Sequence, residues 1–273
     1  MLFQSRHLQR FLISAALLLM LVTASLYQAL AAGLPNAGTL LAYTSADTTR
    51  LYDPQDRPLY ETIDPHANTP TPIRLSLDDI PLYLRQATLA IEGANFYDNS
   101  GAKPTAILRA VFLNDQASEI APGSSTLTRQ VAQLILLPPE ERGQQTLAHE
   151  LREAILARRL AHTWDKETIL EAYLNETCYG ERACGVETAA RTYFGIQAHD
   201  LDLAQCALLA GLPQSPAAYD PLANPEAAKG RQKIVLQAMV SQGYISQFEA
   251  DLAYTETLRF TSHPDRVNDL STN

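Results

Sequence analysis

The distribution of apolar residues divides the chain into an N-terminal span and a longer amphipathic part. Residues 11–31 are almost all apolar, and the first charged side chain after Arg10 is Asp47. An apolar run of this length can cross the hydrocarbon core of a bilayer. Arg6 and Arg10 precede the run, so the positive-inside rule predicts a cytoplasmic N-terminus and an exported remainder. The alternative is a cleaved signal peptide, because residues 29–31 (Ala-Leu-Ala) resemble a processing site, and both interpretations export the rest of the chain.

From residue 76 onward, apolar positions recur at the spacing of helices. The pattern predicts a helix that ends near Glu92 and further helices over residues 105–114, 125–137 and 146–162. N-cap residues mark additional helix starts at Asp165, Asp202, Asn224 and Ser246. Because few runs alternate with a period of two, we predict that the exported domain is mainly α.

These patterns divide the chain into five segments. Residues 1–10 are predicted to form a cytoplasmic tail and residues 11–31 a transmembrane anchor. Residues 32–75 are rich in Pro, Thr, Asp and Asn, a composition typical of a linker with short extended segments or one or two brief strands. The helical domain is predicted to cover residues 76–258, and residues 259–273 a polar tail.

Composition narrows the class of protein. The chain has 30 acidic residues against 21 Lys and Arg, which gives a net charge of −9. Domains that bind nucleic acid are usually basic, so we expect no nucleic-acid partner. Cys178 and Cys184 lie six residues apart on the exported side, where disulfides persist, but spacing alone leaves their pairing open. Cys206 lies in an apolar run and is predicted to be a core residue.

Two glutamates are candidates for acid–base chemistry. Glu92 lies where a helix ends and a Gly-containing loop begins, and the helix dipole disfavours a charged carboxylate there, which suits a proton acceptor. The alternative is an ordinary solvated helix end. Glu153 lies in an apolar helix, where a carboxylate must be paired or functional because an unpaired buried charge is costly. The alternative is a structural ion pair with a nearby arginine of the same helix, namely Arg152, Arg158 or Arg159.

A third candidate element is the sequence GSSTLTRQ, residues 123–130, at the start of a predicted helix. Hydroxyls and backbone N–H groups at a helix N-terminus can cradle phosphate oxygens, and Arg129 and Gln130 follow in the first turns. The alternative is a plain Ser/Thr cap, which is common. The sequence contains no visible metal-ligand cluster and no nucleotide-binding loop.

In this order, the three elements resemble the motifs of peptidoglycan glycosyltransferase family 51. This family provides the transglycosylase module of class A penicillin-binding proteins and the monofunctional transglycosylases. Its motifs E-D-x-x-F-x-x-H-x-G, R-A-x-x-x-N, G-x-S-T-x-T-Q-Q and R-K-x-x-E correspond to residues 92–101, 109–114, 123–130 and 149–153. The similarity covers roughly residues 76–255 and is dense.

The resemblance implies a lysozyme-like α fold, lipid II and the growing glycan strand as substrates, and a role in bacterial cell-wall synthesis beside other cell-wall proteins. It implies that Glu92 is the general base, which deprotonates the acceptor 4-hydroxyl. Glu153 would assist departure of the lipid pyrophosphate, with a divalent cation, Mg²⁺ or Mn²⁺, as the implied cofactor. The positions expected to contact substrate are Phe96, Arg109, Ser125, Thr126, Arg129, Gln130 and Arg152. The anchor agrees with this, because the polyprenyl tail of the substrate stays in the inner (plasma) membrane while the catalytic domain lies on its periplasmic side.

The chain departs from the family pattern at several positions. Family residues are replaced by Gly93, Asn99, Arg129, Gln133, His149 and Glu150. In one interpretation Arg129 replaces a missing lysine at 133, because the two positions are four apart and share a helix face. In the other, the site has drifted, and the protein binds lipid-linked glycan as a scaffold without polymerising it.

The motifs allow two other interpretations. A lysozyme-like hydrolase would also use two carboxylates. The sequence Ser100-Gly-Ala-Lys103 matches the S-x-x-K of penicillin-reactive enzymes, but it lies inside the first glycosyltransferase motif and the chain has no K-T-G. We therefore expect no transpeptidase module, and either a monofunctional protein or the front part of a longer one.

Overall fold

The computed structural model describes most of the helical part of the chain. The described residues are 2–34, 49–52, 58–62, 73–92, 96–97, 126–137, 146–181 and 183–261. The helices are α1 (Leu2–Ala31), α2 (Leu82–Glu92), α3 (Thr126–Leu136), α4 (Leu147–Thr163), α5 (Lys166–Glu176), α6 (Val186–Phe194), α7 (Leu203–Gly211), α8 (Pro225–Ser241) and α9 (Gln247–Thr255). The prediction of a mainly α domain after an N-terminal apolar helix is therefore confirmed. The predicted helix at 105–114 lies outside the described residues.

Local capping explains where several helices begin. The side chains of Asp165 and Asp202 accept hydrogen bonds from backbone N–H groups three residues on. Asp202 and Ser246 each complete a capping box, with Gln205 and Glu249 respectively. Asn224 is the exception, because its side chain makes no cap hydrogen bond and instead donates to the carbonyl of Ala217. The start of α8 therefore depends on proline at its first position rather than on the predicted side-chain cap.

The centre of the core is α7, whose residues are apolar except for Gln205 in its first turn. It packs against α2 and α8, and its residues from Cys206 to Leu209 are buried. The Cys206 side chain is fully buried, as the sequence predicts. Gln232 of α8 donates a 2.7 Å hydrogen bond to the carbonyl of Ala204. The carboxyl-terminal end of α8 reaches α2, where Gln242 donates to the carbonyl of Ala90, so this layer fixes the helix that ends at Glu92.

A second layer is formed by α3, α4 and α5. Helix α3 packs against both α4 and α5, and the segment before α2 is tied to α5 by side-chain bonds. The amide of Asn175 donates to the carbonyl of Leu75 and accepts from its N–H, at 2.8 and 2.9 Å. Arg74 forms an ion pair with Glu176 beside it. Helix α2 thus packs on α7 and α8, the segment before it is held by α5, and its last residue is reached by a side chain of α3.

A small disulfide-closed turn follows α5. Cys178 and Cys184 are joined, which answers the question that their spacing left open. The intervening turn includes Gly180 at φ +100°, and Tyr193 of α6 donates a 2.9 Å hydrogen bond from its hydroxyl to the carbonyl of Tyr179. The turn is therefore fastened both by a covalent bond and by the core tyrosine beneath it.

The N-terminal part contains a long apolar helix and a small sheet. Within α1, residues Leu12–Ala31 are long and apolar enough to cross a membrane, and none of the apolar window is buried inside the protein. After its end, Leu34 is buried in the core, and its carbonyl accepts a hydrogen bond from Arg159 of α4. Strands β1 (Thr49–Tyr52) and β2 (Pro58–Thr62) pair antiparallel within the predicted linker.

Candidate active site

Glu153 lies on the face of α4 that packs against α3. The residue is 3% exposed, and it is surrounded along the helix by apolar residues that are fully buried, including Leu156 and Leu160. The cation paired with Glu153 comes from α3 and is not one of the α4 arginines considered from the sequence: Arg129 Nη2 lies 2.7 Å from Glu153 Oε2. A buried carboxylate is stabilised by such a charge-assisted bond.

The other oxygen of Glu153 has two further partners. Gln133 donates a short hydrogen bond from its amide to Glu153 Oε1. His149 Nε2 lies 2.8 Å from the same oxygen, one helical turn back along α4, although the angle between them falls outside hydrogen-bond geometry. Arg129, Gln133 and His149 are three of the positions where the chain departs from the family pattern. The structure therefore gathers three of these substitutions around one carboxylate.

Glu92 is half-buried at the last residue of α2 and is contacted by α3. Gln130 Nε2 donates a 3.1 Å hydrogen bond to Glu92 Oε2. Since Arg129 and Gln130 are consecutive, one turn of α3 contacts both candidate carboxylates. The two glutamates are thus brought to the same region by tertiary packing, although 61 positions separate them in the sequence.

Beneath Glu92 lies Tyr173 of α5, which the sequence did not single out. Burial raises the pKa of the Tyr173 hydroxyl well above its ordinary value, and the nearby Glu92 carboxylate raises that pKa further. Tyr173 therefore stays neutral over the physiological range. No local pattern marks this residue, because its position below Glu92 follows from how α5 packs.

Phe96 lies in the core rather than on an open surface. It is 1% exposed, and Lys166 at the start of α5 places its ammonium 4.5 Å from the ring centroid and 2.6 Å from the Phe96 carbonyl oxygen, to which it donates. Burial lowers the pKa of Lys166. Lys166 thus holds Phe96 against the start of α5.

The remaining predicted site residues are only partly described. Thr126 begins α3, and Arg152 is half-buried on α4 next to Glu153. Arg109 and Ser125 lie outside the described residues, as do the departures at Gly93 and Asn99 and the Ser100–Lys103 sequence. Of the residues missed from the sequence, His149 as a partner of Glu153 could have been found, because positions 149 and 153 are one helical turn apart.

The residues at Glu153 do not fit a divalent cation. Hard cations such as Mg²⁺ bind free carboxylate oxygens, whereas both oxygens of Glu153 are engaged by protein donors, one of them a guanidinium. Among the residues that the structure describes, no group of three or more His, Cys, Asp or Glu side chains could hold a metal ion. The observed site is a carboxylate pair connected by cationic and amide donors.

A mainly helical domain whose two acidic groups are contacted by one helix defines a candidate carboxylate-dependent enzyme, and comparisons with known proteins define its family. The family model described as Transglycosylase matches residues 58–240. The chain therefore belongs to the transglycosylase family.

Individual relatives agree with this assignment. Penicillin-binding protein 1A of Aquifex aeolicus is 38% identical over 225 residues, which is 82% of this chain and 30% of that protein. The Escherichia coli protein of the same name is 36% identical over 195 residues, 71% of this chain and 22% of that protein. A crystal structure of penicillin-binding protein 1A from Haemophilus influenzae matches at 22% identity, over 82% of this chain and 23% of that one, with a TM-score of 0.43. The chain spans less than a third of the length of these relatives.

Proposed function

We propose that the chain is a peptidoglycan glycosyltransferase that polymerises lipid II into glycan strands. The transglycosylase family assignment supports the reaction class, and the contacts of Glu92 and Glu153 with consecutive residues of α3 support the roles of the two carboxylates. Glu92 is proposed as the general base, because it lies half-buried at the C-terminal end of α2, and its oxygen accepts a hydrogen bond from Gln130. Its task is to remove the proton from the acceptor 4-hydroxyl as that oxygen attacks the anomeric carbon of the donor.

Glu153 is proposed to act on the opposite, leaving-group side, where it assists departure of the lipid pyrophosphate. Its carboxylate is covered by Arg129, so the charge that this side presents to an anionic leaving group is positive. A guanidinium suits phosphate oxygens in geometry as well as in charge. No step is assigned to a divalent cation, because the donors around Glu153 do not fit one.

The single observation that carries the proposal is that Arg129 and Gln133 both reach Glu153. If the site had drifted, substitutions at separate motif positions would have no reason to meet on one carboxylate. Their convergence supports compensation, in which an arginine one turn earlier on α3 supplies the charge that a lysine at 133 would have supplied. The scaffold that binds lipid-linked glycan without polymerising it is therefore the second candidate.

The proposed function also implies where in the cell the protein acts. The apolar part of α1 is proposed to cross the inner membrane once, with the catalytic domain on the periplasmic side, where lipid II is consumed. Arg159 of α4 donates a hydrogen bond to the carbonyl of Leu34, so the end of the apolar helix lies close to the helix that carries Glu153. Other cell-wall synthesis proteins are proposed as partners on the basis of family resemblance alone.

The decisive experiment is polymerisation of lipid II by the purified full chain in detergent, with Glu92→Gln as the test variant. Glu226→Gln is the matched control, because Glu226 is an exposed glutamate in the first turn of α8. We expect glycan strands from the wild type and from Glu226→Gln, and a loss of at least about 100-fold for Glu92→Gln, since general-base catalysis typically contributes that much.

Two results would point elsewhere. A wild type that binds lipid II without extending it, with binding unchanged in Glu92→Gln, would support the scaffold. Release of reducing sugar from mature peptidoglycan would instead support a hydrolase, which also uses two carboxylates.

A further inference from the structure

The carboxylate of Glu153 is covered by its partners. Its side chain is 4% exposed, whereas that of Arg129 is 26% exposed. Arg129 engages Oε2, and Gln133 and His149 lie against Oε1. A ligand that entered from solvent would therefore meet the guanidinium before the carboxylate. The chemistry available at this side of the site belongs to Arg129.

Each oxygen of Glu153 already accepts a hydrogen bond from a protein donor, so a divalent cation would have to compete with these donors. To bind there, a metal ion would have to displace a guanidinium already in contact at 2.7 Å, and until it did so the two positive charges would repel each other. The imidazole of His149 occupies the other side. The donors around Glu153 therefore do not fit a leaving-group site that depends on a divalent cation.

Arg129 has the properties required of the group that takes the place of such a cation. Its charge is permanent, and its planar fork of N–H groups matches phosphate oxygens. Only Nη2 is bonded to Glu153, and the guanidinium carries further donors that can point toward an anion. The salt bridge limits the number of orientations that the long arginine side chain can adopt, so less entropy is lost when the anion binds.

We propose that Arg129 is the pyrophosphate-binding cation of this site, and that Glu153 is a positioning residue that acts through Arg129 rather than a ligand for a divalent metal. This inference rests on the proposed function for its biological meaning. It claims less than the proposed function does, because it concerns only how the site binds a pyrophosphate group without a metal ion.

Binding of inorganic pyrophosphate to the full chain, measured by isothermal titration calorimetry in EDTA, tests the role of Arg129. We expect wild-type binding to weaken about tenfold in Arg129→Gln and less in Arg129→Lys, which keeps the charge and loses the fork. Glu153→Gln should also weaken binding, since the guanidinium is then no longer oriented. The control is Arg158→Gln, which removes an exposed arginine from α4 and should leave binding unchanged.

Mn²⁺ binding, measured by electron paramagnetic resonance on the same proteins after the EDTA has been removed, tests the role of Glu153 without relying on activity. We expect the bound fraction of Mn²⁺ to be equal in the wild type and in Glu153→Gln. Loss of a bound Mn²⁺ in Glu153→Gln, or pyrophosphate binding that is unchanged in Arg129→Gln, would overturn the proposal. Neither measurement requires polymerisation, so a chain that binds pyrophosphate through Arg129 but fails to extend lipid II would disprove the proposed function and leave this inference standing.

Discussion

The guanidinium of Arg129 and the carboxylate of Glu153 form a 2.7 Å ion pair between α3 and α4, in which the carboxylate is buried and the guanidinium is partly exposed. The pair joins two helices that carry different motifs. The asymmetry matters, because removing the arginine leaves a buried charge without its cation, whereas removing the glutamate leaves a cation that water can still reach. Stability and function at this site are therefore linked through one contact.

Replacing Arg129 by glutamine should lower the free energy of unfolding by about 1–3 kcal/mol. The value is below that of a fully buried pair because the arginine is partly solvated. Thermal unfolding followed by circular dichroism in detergent measures it, at about 2–4 °C per kcal/mol for a domain of this size. Arg158→Gln on the exposed face of α4 is the control and should stay within about 0.5 kcal/mol of the wild type.

The double variant Arg129→Gln/Glu153→Gln separates the pair from other effects. Its loss of stability should be smaller than the sum of the two single losses, because the second substitution removes the charge that the first left unpaired. Additive losses would mean that the two side chains are energetically independent despite their contact.

Lys166 should stabilise the segment that follows Glu92. Its ammonium donates to the Phe96 carbonyl and lies over the Phe96 ring, so Lys166→Met should cost about 1 kcal/mol. Lys166→Arg keeps a cation able to make both contacts and should cost less. Thermal unfolding of the two variants gives the comparison, and equal losses would show that the charge has no part in holding Phe96.

Reduction of the Cys178–Cys184 bond should destabilise the domain by about 2 kcal/mol, the chain-entropy value for a loop this short. The expected observation is a lower melting temperature in the presence of dithiothreitol. A Cys178→Ala/Cys184→Ala variant should melt at the reduced temperature and be insensitive to the reductant. Sensitivity that persisted in this variant would contradict the prediction, because Cys206, the remaining cysteine, is a buried free thiol with no bond for the reductant to break.

Replacing glycine by alanine should destabilise the protein at Gly180 and stabilise it at Gly230. At Gly180 the φ of +100° is unfavourable for other residues, and an added Cβ would lie 2.7 Å from the Tyr193 hydroxyl, so Gly180→Ala should cost about 2 kcal/mol. Gly230 lies in α8 with nothing near its missing Cβ, so Gly230→Ala should stabilise by about 0.5–1 kcal/mol. Both are measured by thermal unfolding, and a stabilised Gly180→Ala would contradict the close approach of Tyr193.

Features that depend on neighbours in the chain were predictable from the sequence. Local spacing and local hydrogen bonds account for three such features: the end of α2 at Glu92, the helix caps at Asp165, Asp202 and Ser246, and the apolar span of α1. The helix start predicted at Asn224 is confirmed, with proline at its first position, but the Asn224 side chain makes no cap hydrogen bond and donates to a carbonyl seven residues away. The motifs also indicated the family and the two glutamates.

Contacts between distant segments required the folded chain. The sequence by itself determined that Glu153 needs a partner, because a carboxylate in an apolar helix cannot remain unpaired. Only the tertiary structure decided that the partner is Arg129 of α3, since the identity of the nearest cation depends on which helix packs against α4. The same is true of Tyr173 near Glu92 and of Lys166 against Phe96, because packing alone brings these residues close together.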